Sequence, residues 1–179
     1  YTVVMKPYVL TGGPGVGKTT VLELLASRGY TITPEAARMI IEEETIKDSD
    51  VLPWKNLEEF QKRIAERQFE MEENLSAGIT FLDRSLIDGY AFCMLGKVKA
   101  PEIISRHVKN RYEKVFLLEP LINTYITDTI RSEDKIQALE IHEEIVKAYI
   151  FFGYDLILVP PVSPEKRLDF ILERVAELE

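Results

Sequence analysis

The clearest candidate for chemistry is a glycine-rich stretch near the amino end, which reads GGPGVGKT over residues 12–19. It follows the apolar run at 8–10 and precedes apolar residues at helical spacing, namely Val21, Leu22, Leu24 and Leu25. A strand, a glycine loop and a helix form the context in which G-x-x-x-x-G-K-[ST] binds phosphate groups. The pattern therefore predicts a nucleotide-binding loop.

Each residue type in this loop has a physical reason to be there. Glycines let the backbone turn its amides inward, and the positive end of the following helix points at the same place. Lys18 is predicted to reach the outer phosphates, and the Thr19 hydroxyl to ligate Mg²⁺. We assign nucleotide binding to the loop and the residue after it: Gly12, Gly13, Pro14, Gly15, Val16, Gly17, Lys18, Thr19 and Thr20.

A second pattern ends in an acidic and a basic residue. Asp83 closes the mostly apolar run 79–82, the arrangement in which a carboxylate holds Mg²⁺ directly or through water. The alternative is a carboxylate that caps the next helix. Arg84 is predicted to contact the transferred or acceptor phosphate, and its alternative is a structural ion pair.

The residue after Asp83 also separates reaction classes. Motor and transporter ATPases usually carry glutamate there to polarise water, whereas this chain has Arg84. The chain contains neither LSGGQ nor the N-K-x-D run that would recognise guanine. These observations favour phosphoryl transfer to a small molecule.

Composition sets wider bounds. The chain has 179 residues, 46% hydrophobic and 29% charged, with a net charge of -8, which predicts one globular domain over 1–179. It has no basic run typical of nucleic-acid binding and no apolar run of membrane-spanning length. A single cysteine, Cys93, is typical of a reducing compartment. We therefore expect a cytoplasmic protein with neither a nucleic-acid partner nor a membrane span.

The elements that must position these residues alternate along the chain. Short strands are predicted at about 3–10, 30–33, 79–83, 114–118 and 155–159, with a break in the first near Pro7. Helices are predicted between them, one of them over 56–75 with Asn56 as its cap, and a last one with Ser163 as its cap. The fold class is therefore α/β, a five-stranded parallel sheet sandwiched by helices. Ligands of such sheets bind at the carboxyl ends of the strands.

Six stretches carry a family resemblance, and together they span nearly the whole chain in order. They are GGPGVGKTT at 12–20, RGYTITPEAARMI at 28–40, FLDRSLIDGYAF at 81–92, VFLLEP at 115–120, DTIRSEDKIQ at 128–137 and GYDLILVP at 153–160. The chain resembles the P-loop kinase-like proteins grouped with the nicotinamide riboside kinase domain and the translocation-defect GTP-binding protein. More distantly, it is similar to deoxynucleoside and thymidylate kinases. The resemblance implies a P-loop NTPase of the nucleotide-kinase-like kind.

The resemblance also implies roles for single residues. Glu35 resembles the carboxylate that such kinases use as base or magnesium partner, and its alternative is an acid favoured by the helix dipole. Arg38, one turn further on, is expected to bind Glu35 or the substrate. Arg131 looks like a lid arginine in a lid at about 120–136, with an exposed ion pair as its alternative.

The helix at 56–75 is expected to border the acceptor pocket. Arg63, Arg67 and Gln68 are the polar candidates for substrate binding, although a solvated rim would carry the same residue types. His107 and His142 lack metal-ligand spacing and are interpreted as ordinary surface or core residues, and Cys93 as a core residue.

These expectations converge on a phosphotransferase that uses ATP or GTP with Mg²⁺ and acts on a nucleoside or a related metabolite. The alternative is a nucleotide-dependent switch whose hydrolysis is detected by a protein or lipid partner. The family resemblance spans both, because one relative phosphorylates a small molecule and another binds GTP. The acceptor and the oligomeric state are left open.

Overall fold

The computed structural model describes residues 4–121 and 132–177, and its centre is a five-stranded parallel sheet. The strands are β1 (Met5–Thr11), β2 (Thr31–Ile32), β3 (Gly78–Asp83), β4 (Lys114–Leu118) and β5 (Leu156–Val159). They pair in the order β2-β3-β1-β4-β5, so β1 is the middle strand. The predicted fold class is confirmed.

Seven helices cover the sheet in the described ranges. They are α1 (Lys18–Ser27), α2 (Ala36–Ile46), α3 (Leu57–Glu73), α4 (Leu86–Leu95), α5 (Glu102–His107), α6 (Ser132–Phe151) and α7 (Pro164–Ala176). The predicted caps are present, because Asn56 accepts the Glu59 N–H at 3.2 Å and Ser163 accepts the Lys166 N–H at 3.3 Å. Within these ranges, no helix combines the length and apolarity needed to cross a membrane.

Successive side chains of the central strands β1 and β3 enter two separate cores. Tyr8 and Leu10 of β1 pack with α1 and α7, whereas Val9 packs with α4, α5 and α6. β3 divides in the same way, with Phe81 in the first core and Leu82 in the second. This alternation follows from the two-residue period of a strand, and it makes the sheet a shared wall between the cores.

The predicted break in the first strand is wrong, since β1 continues through Pro7. Pro7 lacks an N–H donor, which would be costly opposite a paired strand. Pairing of β1 with β4 begins only at Tyr8 and Lys114, and the Pro7 carbonyl already accepts the Glu113 N–H at 2.8 Å on that side. Pro7, which has no N–H, therefore lies just before the paired part of β4 begins. No carbonyl of β4 needs a donor at this position.

The sheet also fixes where the predicted site residues meet. In the register of β1 with β3, Leu10 is the partner of Asp83, so Asp83 lies beside the start of the glycine loop. The segments after β1, β2 and β3 all emerge at this edge. The chain thereby brings the loop, Glu35 and Arg84 together from three separate stretches of sequence.

Candidate active site

The loop between β1 and α1 surrounds a cavity of about 380 Å³. Gly15 and Gly17 have φ angles of 77° and 84°, a region that residues with a Cβ rarely adopt. Because α1 begins at Lys18, its amino end faces this cavity. Thr19 lines the cavity, whereas Thr20 lies beyond the lining in the first turn of α1. A concave surface of backbone amides at a helix amino end binds phosphate groups.

Lys18 lines this cavity and forms an ion pair with Asp83, which itself lines a second, neighbouring pocket. Only 8% of the Lys18 side chain and 13% of the Asp83 side chain are exposed. Burial raises the pKa of Asp83 despite the opposing attraction of Lys18, and the charge of Glu35 raises it further. Asp83 does not cap α4, because that position belongs to Ser85, which excludes the capping alternative.

The second carboxylate of the site is Glu35, which lies at the start of α2. It occupies the N-cap position, yet its side chain makes no capping hydrogen bond. Its Oε1 lies 3.6 Å from the Arg84 Nε, so it faces the site and not its own helix. The helix start therefore delivers this carboxylate to the cavity without using it for capping.

Arg84 is held in an unusual backbone conformation between several groups. Its φ is 68°, uncommon for a residue with a side chain. Its Nη1 lies 3.3 Å from Asp88 Oδ1, and its guanidinium lies over the Phe92 ring at 5.5 Å from the centroid. Within the described ranges its buried Nε makes no hydrogen bond. Arg84 is thus a fixed cation, held between Glu35, Asp88 and the Phe92 ring.

A second, smaller pocket of about 180 Å³ adjoins the phosphate cavity. Its walls come from α2, α3 and α4, and most of them are apolar: Ala36, Ala37, Ile41, Pro53, Leu57, Phe60, Ile64 and Phe92. Gln61 also lines it, only 4% exposed, and its buried Oε1 has no hydrogen-bond partner among the described residues. Glu35 and Arg84 line both this pocket and the phosphate cavity.

The predicted substrate-binding residues divide into two groups. Gln68 lines the small pocket and is buried, so it does not form a solvated rim. Its amide nitrogen donates to Glu72 at 2.7 Å and to the Arg84 carbonyl at 3.4 Å. Arg38 lines the phosphate cavity.

Arg63 and Arg67 lie outside both linings and join α3 to α2. Arg63 pairs with Glu44 at 2.9 Å, and Arg67 binds both oxygens of Glu43 at 2.9 Å each. The Arg67 hydrogen bond is the main reason that the pKa of Glu43 is lowered. Their contact with an acceptor stays a prediction. Arg131 and most of the predicted lid lie outside the described residues.

Asp88 is a site residue that the sequence analysis missed. It is 2% exposed and accepts hydrogen bonds from the Thr11 hydroxyl, the Ser85 N–H at 2.8 Å and the Tyr149 hydroxyl at 2.6 Å. It also pairs with Arg84. The S-x-x-D spacing of Ser85 and Asp88 is a capping-box signal that could have found it.

Two more missed residues hold the glycine loop from outside the cavity. His142 of α6 accepts the Gly13 N–H through Nδ1 at 2.9 Å. Burial lowers the pKa of this histidine, which favours the neutral form that can accept a hydrogen bond. Arg167 of α7 is 1% exposed and donates to the Val16 carbonyl. No local pattern marks either residue, because both contacts exist only in the folded chain.

The residues present fit a magnesium ion accompanied by phosphates. Mg²⁺ usually takes one or two carboxylates and completes its shell with phosphate oxygens and water. Thr19 and Asp83 supply the oxygen donors predicted for this ion, with Glu35 nearby. Burial is the main reason that the pKa of Asp83 is raised, with a smaller contribution from the charge of Glu35, and a bound cation would favour the charged carboxylate.

Fold and site together define a P-loop nucleotide-binding protein of the nucleotide-kinase-like kind. A family model described as an AAA domain matches residues 7–167, and the chain belongs to this family. No curated protein shows significant sequence similarity to the chain.

Several solved structures share the fold. A NadR protein in complex with NR aligns at a TM-score of 0.68 and 22% identity, covering 97% of this chain and 51% of that one. This chain therefore spans about half the length of that protein. Deoxyadenosine kinase from M. mycoides aligns at 0.65 and 16% identity, covering 97% and 100%. Shikimate kinase from Aquifex aeolicus aligns at 0.59 and 18%, covering 96% of each chain.

Proposed function

We propose that the protein is a phosphotransferase that uses ATP and Mg²⁺ and phosphorylates a hydroxyl group of a small molecule. The observation that carries this proposal is that Glu35 and Arg84 line both the phosphate cavity and the small apolar pocket. A group that faces both compartments can act on a phosphate in one and on an acceptor in the other. A nucleotide switch would not require a second pocket at this position.

The residues divide the work of phosphoryl transfer between them. Lys18 and the loop amides bind the outer phosphates, and Thr19 and Asp83 would hold the Mg²⁺ that neutralises phosphate charge. Glu35 accepts the proton of the acceptor hydroxyl, since a carboxylate that makes no capping hydrogen bond is available as a base. Arg84 stabilises the charge that develops on the transferred group.

The small pocket supports a ring-bearing acceptor such as a nucleoside or a related metabolite. Its apolar walls include the rings of Phe60 and Phe92, against which a flat molecule can pack. The buried carbonyl oxygen of Gln61 requires an N–H or O–H donor, because an unsatisfied buried acceptor costs about 1–3 kcal/mol. One solved neighbour is a complex with NR and another is named a deoxyadenosine kinase, and both names refer to this chemical class.

The proposal is tested by measuring ADP release from Mg-ATP with and without candidate acceptors: nicotinamide riboside, the deoxynucleosides and shikimate. We expect one acceptor class to raise ADP release about tenfold or more above the basal rate. Glu35→Gln should lower that acceptor-dependent rate by about a hundredfold or more, since general bases contribute at least this much. The same variant should keep the rise in melting temperature caused by Mg-ATP.

Glu42→Gln is the matched control, because Glu42 lies on α2 but is exposed and lines neither compartment. ADP release that no acceptor class changes would contradict the kinase proposal and favour the switch. Wild-type transfer by Glu35→Gln would remove Glu35 from the role of base.

A further inference from the structure

Arg167 makes an unusual set of contacts for a buried cation. Its guanidinium donates to three backbone carbonyls from three segments: Val16 in the glycine loop, Glu119 after β4 at 2.6 Å, and Pro160 after β5 at 2.9 Å. No carboxylate of the described residues forms an ion pair with it, and burial lowers its pKa. Burying a charged guanidinium without a carboxylate partner costs free energy. The three hydrogen bonds to carbonyl groups must therefore offset this cost.

The contact with Val16 fixes the orientation of one peptide group. In a planar trans peptide the C=O and the following N–H point in opposite directions. Because the Val16 carbonyl points at Arg167, the N–H of Gly17 points away from Arg167. Val16 and Gly17 themselves line the phosphate cavity. The carbonyl of this peptide therefore faces Arg167, and its N–H faces the cavity.

The guanidinium is also close enough to act through its charge. A Cβ built on Gly17 would lie 3.3 Å from the Arg167 Nη1, which places the cation directly against the loop backbone. The positive charge is therefore separated from the cavity only by the Val16–Gly17 peptide, which immediately precedes Lys18 in the chain. In a buried setting such a charge is weakly screened by solvent.

We propose that Arg167 is a positioning residue for phosphate binding, which turns the Val16–Gly17 peptide so that the Gly17 N–H donates to the bound phosphates. The same side chain ties this peptide to the carboxyl ends of β4 and β5 through Glu119 and Pro160. The inference rests on the nucleotide-binding part of the proposed function and not on the identity of the acceptor. Its test can therefore succeed or fail without any acceptor present.

The first experiment compares Mg-ATP and AMP binding to Arg167→Gln and Arg167→Lys by calorimetry. We expect Arg167→Gln to weaken Mg-ATP about ten- to hundredfold, the range of a hydrogen bond to a charged group. The affinity for AMP should fall much less, because AMP lacks the outer phosphates that the loop is proposed to bind. Lysine keeps the charge but cannot bind three carbonyls, so Arg167→Lys should show an intermediate loss.

The control is Arg174→Gln, which removes another arginine of α7, whose guanidinium contacts Phe170 and Glu173 and lies in neither cavity lining. It should bind both nucleotides like the wild type. A loss of ATP and AMP affinity in equal proportion would mean that Arg167 has a structural role only. Unchanged ATP binding in Arg167→Gln would also overturn the proposal.

A second measurement uses the wild-type chain, in case the variants do not fold. The amide proton of Gly17, followed by NMR, should move downfield when Mg-ATP is added and much less when AMP is added. An amide signal of Gly17 that does not respond to Mg-ATP would show that this N–H does not bind phosphate. That result would reject the proposal even if the chain binds nucleotide.

Discussion

Lys18 is the most informative single residue of the site, because its side chain pairs with Asp83 and is also predicted to bind the outer phosphates. Its Nζ pairs with Asp83, and a bound triphosphate would compete for the same charge. Leaving Asp83 would deprive a buried carboxylate of its partner, which is costly unless a magnesium ion replaces the lysine. The ion pair therefore keeps the lysine in place near the cavity.

We predict that Lys18→Ala abolishes the thermal stabilisation produced by Mg-ATP. A ligand that binds only the folded state raises the melting temperature according to its concentration and affinity, so loss of binding removes the shift. Differential scanning fluorimetry with and without Mg-ATP measures it. Lys62→Ala is the control, since Lys62 is exposed on α3 and should leave the shift intact. An unchanged shift in Lys18→Ala would remove the phosphate-loop assignment.

Among the residues of the site, those in contiguous motifs could be predicted from the sequence, and those without neighbouring motif residues could not. The glycine loop is a run of neighbours whose geometry is local, so its sequence was sufficient. Glu35 and Asp83 were found because each follows a strand at the edge where ligands bind. No local sequence pattern marks Gln61, His142 or Arg167. The groups that lie next to these side chains come from distant segments that meet only after folding.

At the scale of elements, α6 supports the glycine loop by direct packing. A Cβ on Gly13 would lie 2.8 Å from the Ala138 carbonyl oxygen and 2.8 Å from the His142 Cβ, so only glycine allows this approach. The loop is thus in contact with a helix whose first residue, Ser132, falls within the predicted lid segment at about 120–136. Sequence patterns predicted a helix between the fourth and fifth strands but not the side of it that contacts the loop.

The contact between α6 and the loop should depend on pH through His142. Burial lowers its pKa below the ordinary 6.5, while Glu119 and Glu143 oppose this shift and Arg84 adds to it. Between the folded and unfolded pKa values the unfolded chain binds more protons, so stability falls as the pH drops below about 6.5. Protonation also removes the acceptor that the Gly13 N–H requires.

We therefore predict that His142→Asn is less sensitive to acid than the wild type, because asparagine offers an oxygen acceptor and does not titrate. The measurement is the melting temperature at about pH 7.5 and about pH 5.5. His107→Asn is the control, and it should retain the wild-type pH dependence because His107 packs on Phe69 at 4.5 Å, away from the loop. Equal acid sensitivity in wild type and His142→Asn would exclude His142 as the cause.

At the scale of the whole molecule, the sheet decides whether the chain behaves as one unit. β1 pairs with β3 on one side and β4 on the other, and its side chains enter both cores. Neither core can lose its packing without disturbing this shared strand. The strand order could not be read from the sequence, because pairing depends on which apolar runs become neighbours after folding. The prediction of one domain over residues 1–179 depends on the same coupling.

Our last prediction tests this coupling with two matched substitutions. Leu10 and Leu82 are both 0% exposed, but Leu10 belongs to the core with α1 and α7 and Leu82 to the core with α4, α5 and α6. Replacing either with alanine should lower the free energy of unfolding by about 2–5 kcal/mol. If the chain is one cooperative unit, both variants shift the same single urea transition, followed by far-UV and near-UV circular dichroism.

The control for this pair is Leu158→Ala in β5, which removes the same side-chain atoms from a position that is 52% exposed. It should cost much less, because the removed surface is already in contact with water and no comparable cavity forms. Two separate transitions in Leu10→Ala or Leu82→Ala would show that the cores unfold independently. The shared strand would then join two units, and nucleotide binding at its carboxyl end would stabilise only the transition of the core that holds the glycine loop, the one containing Val16.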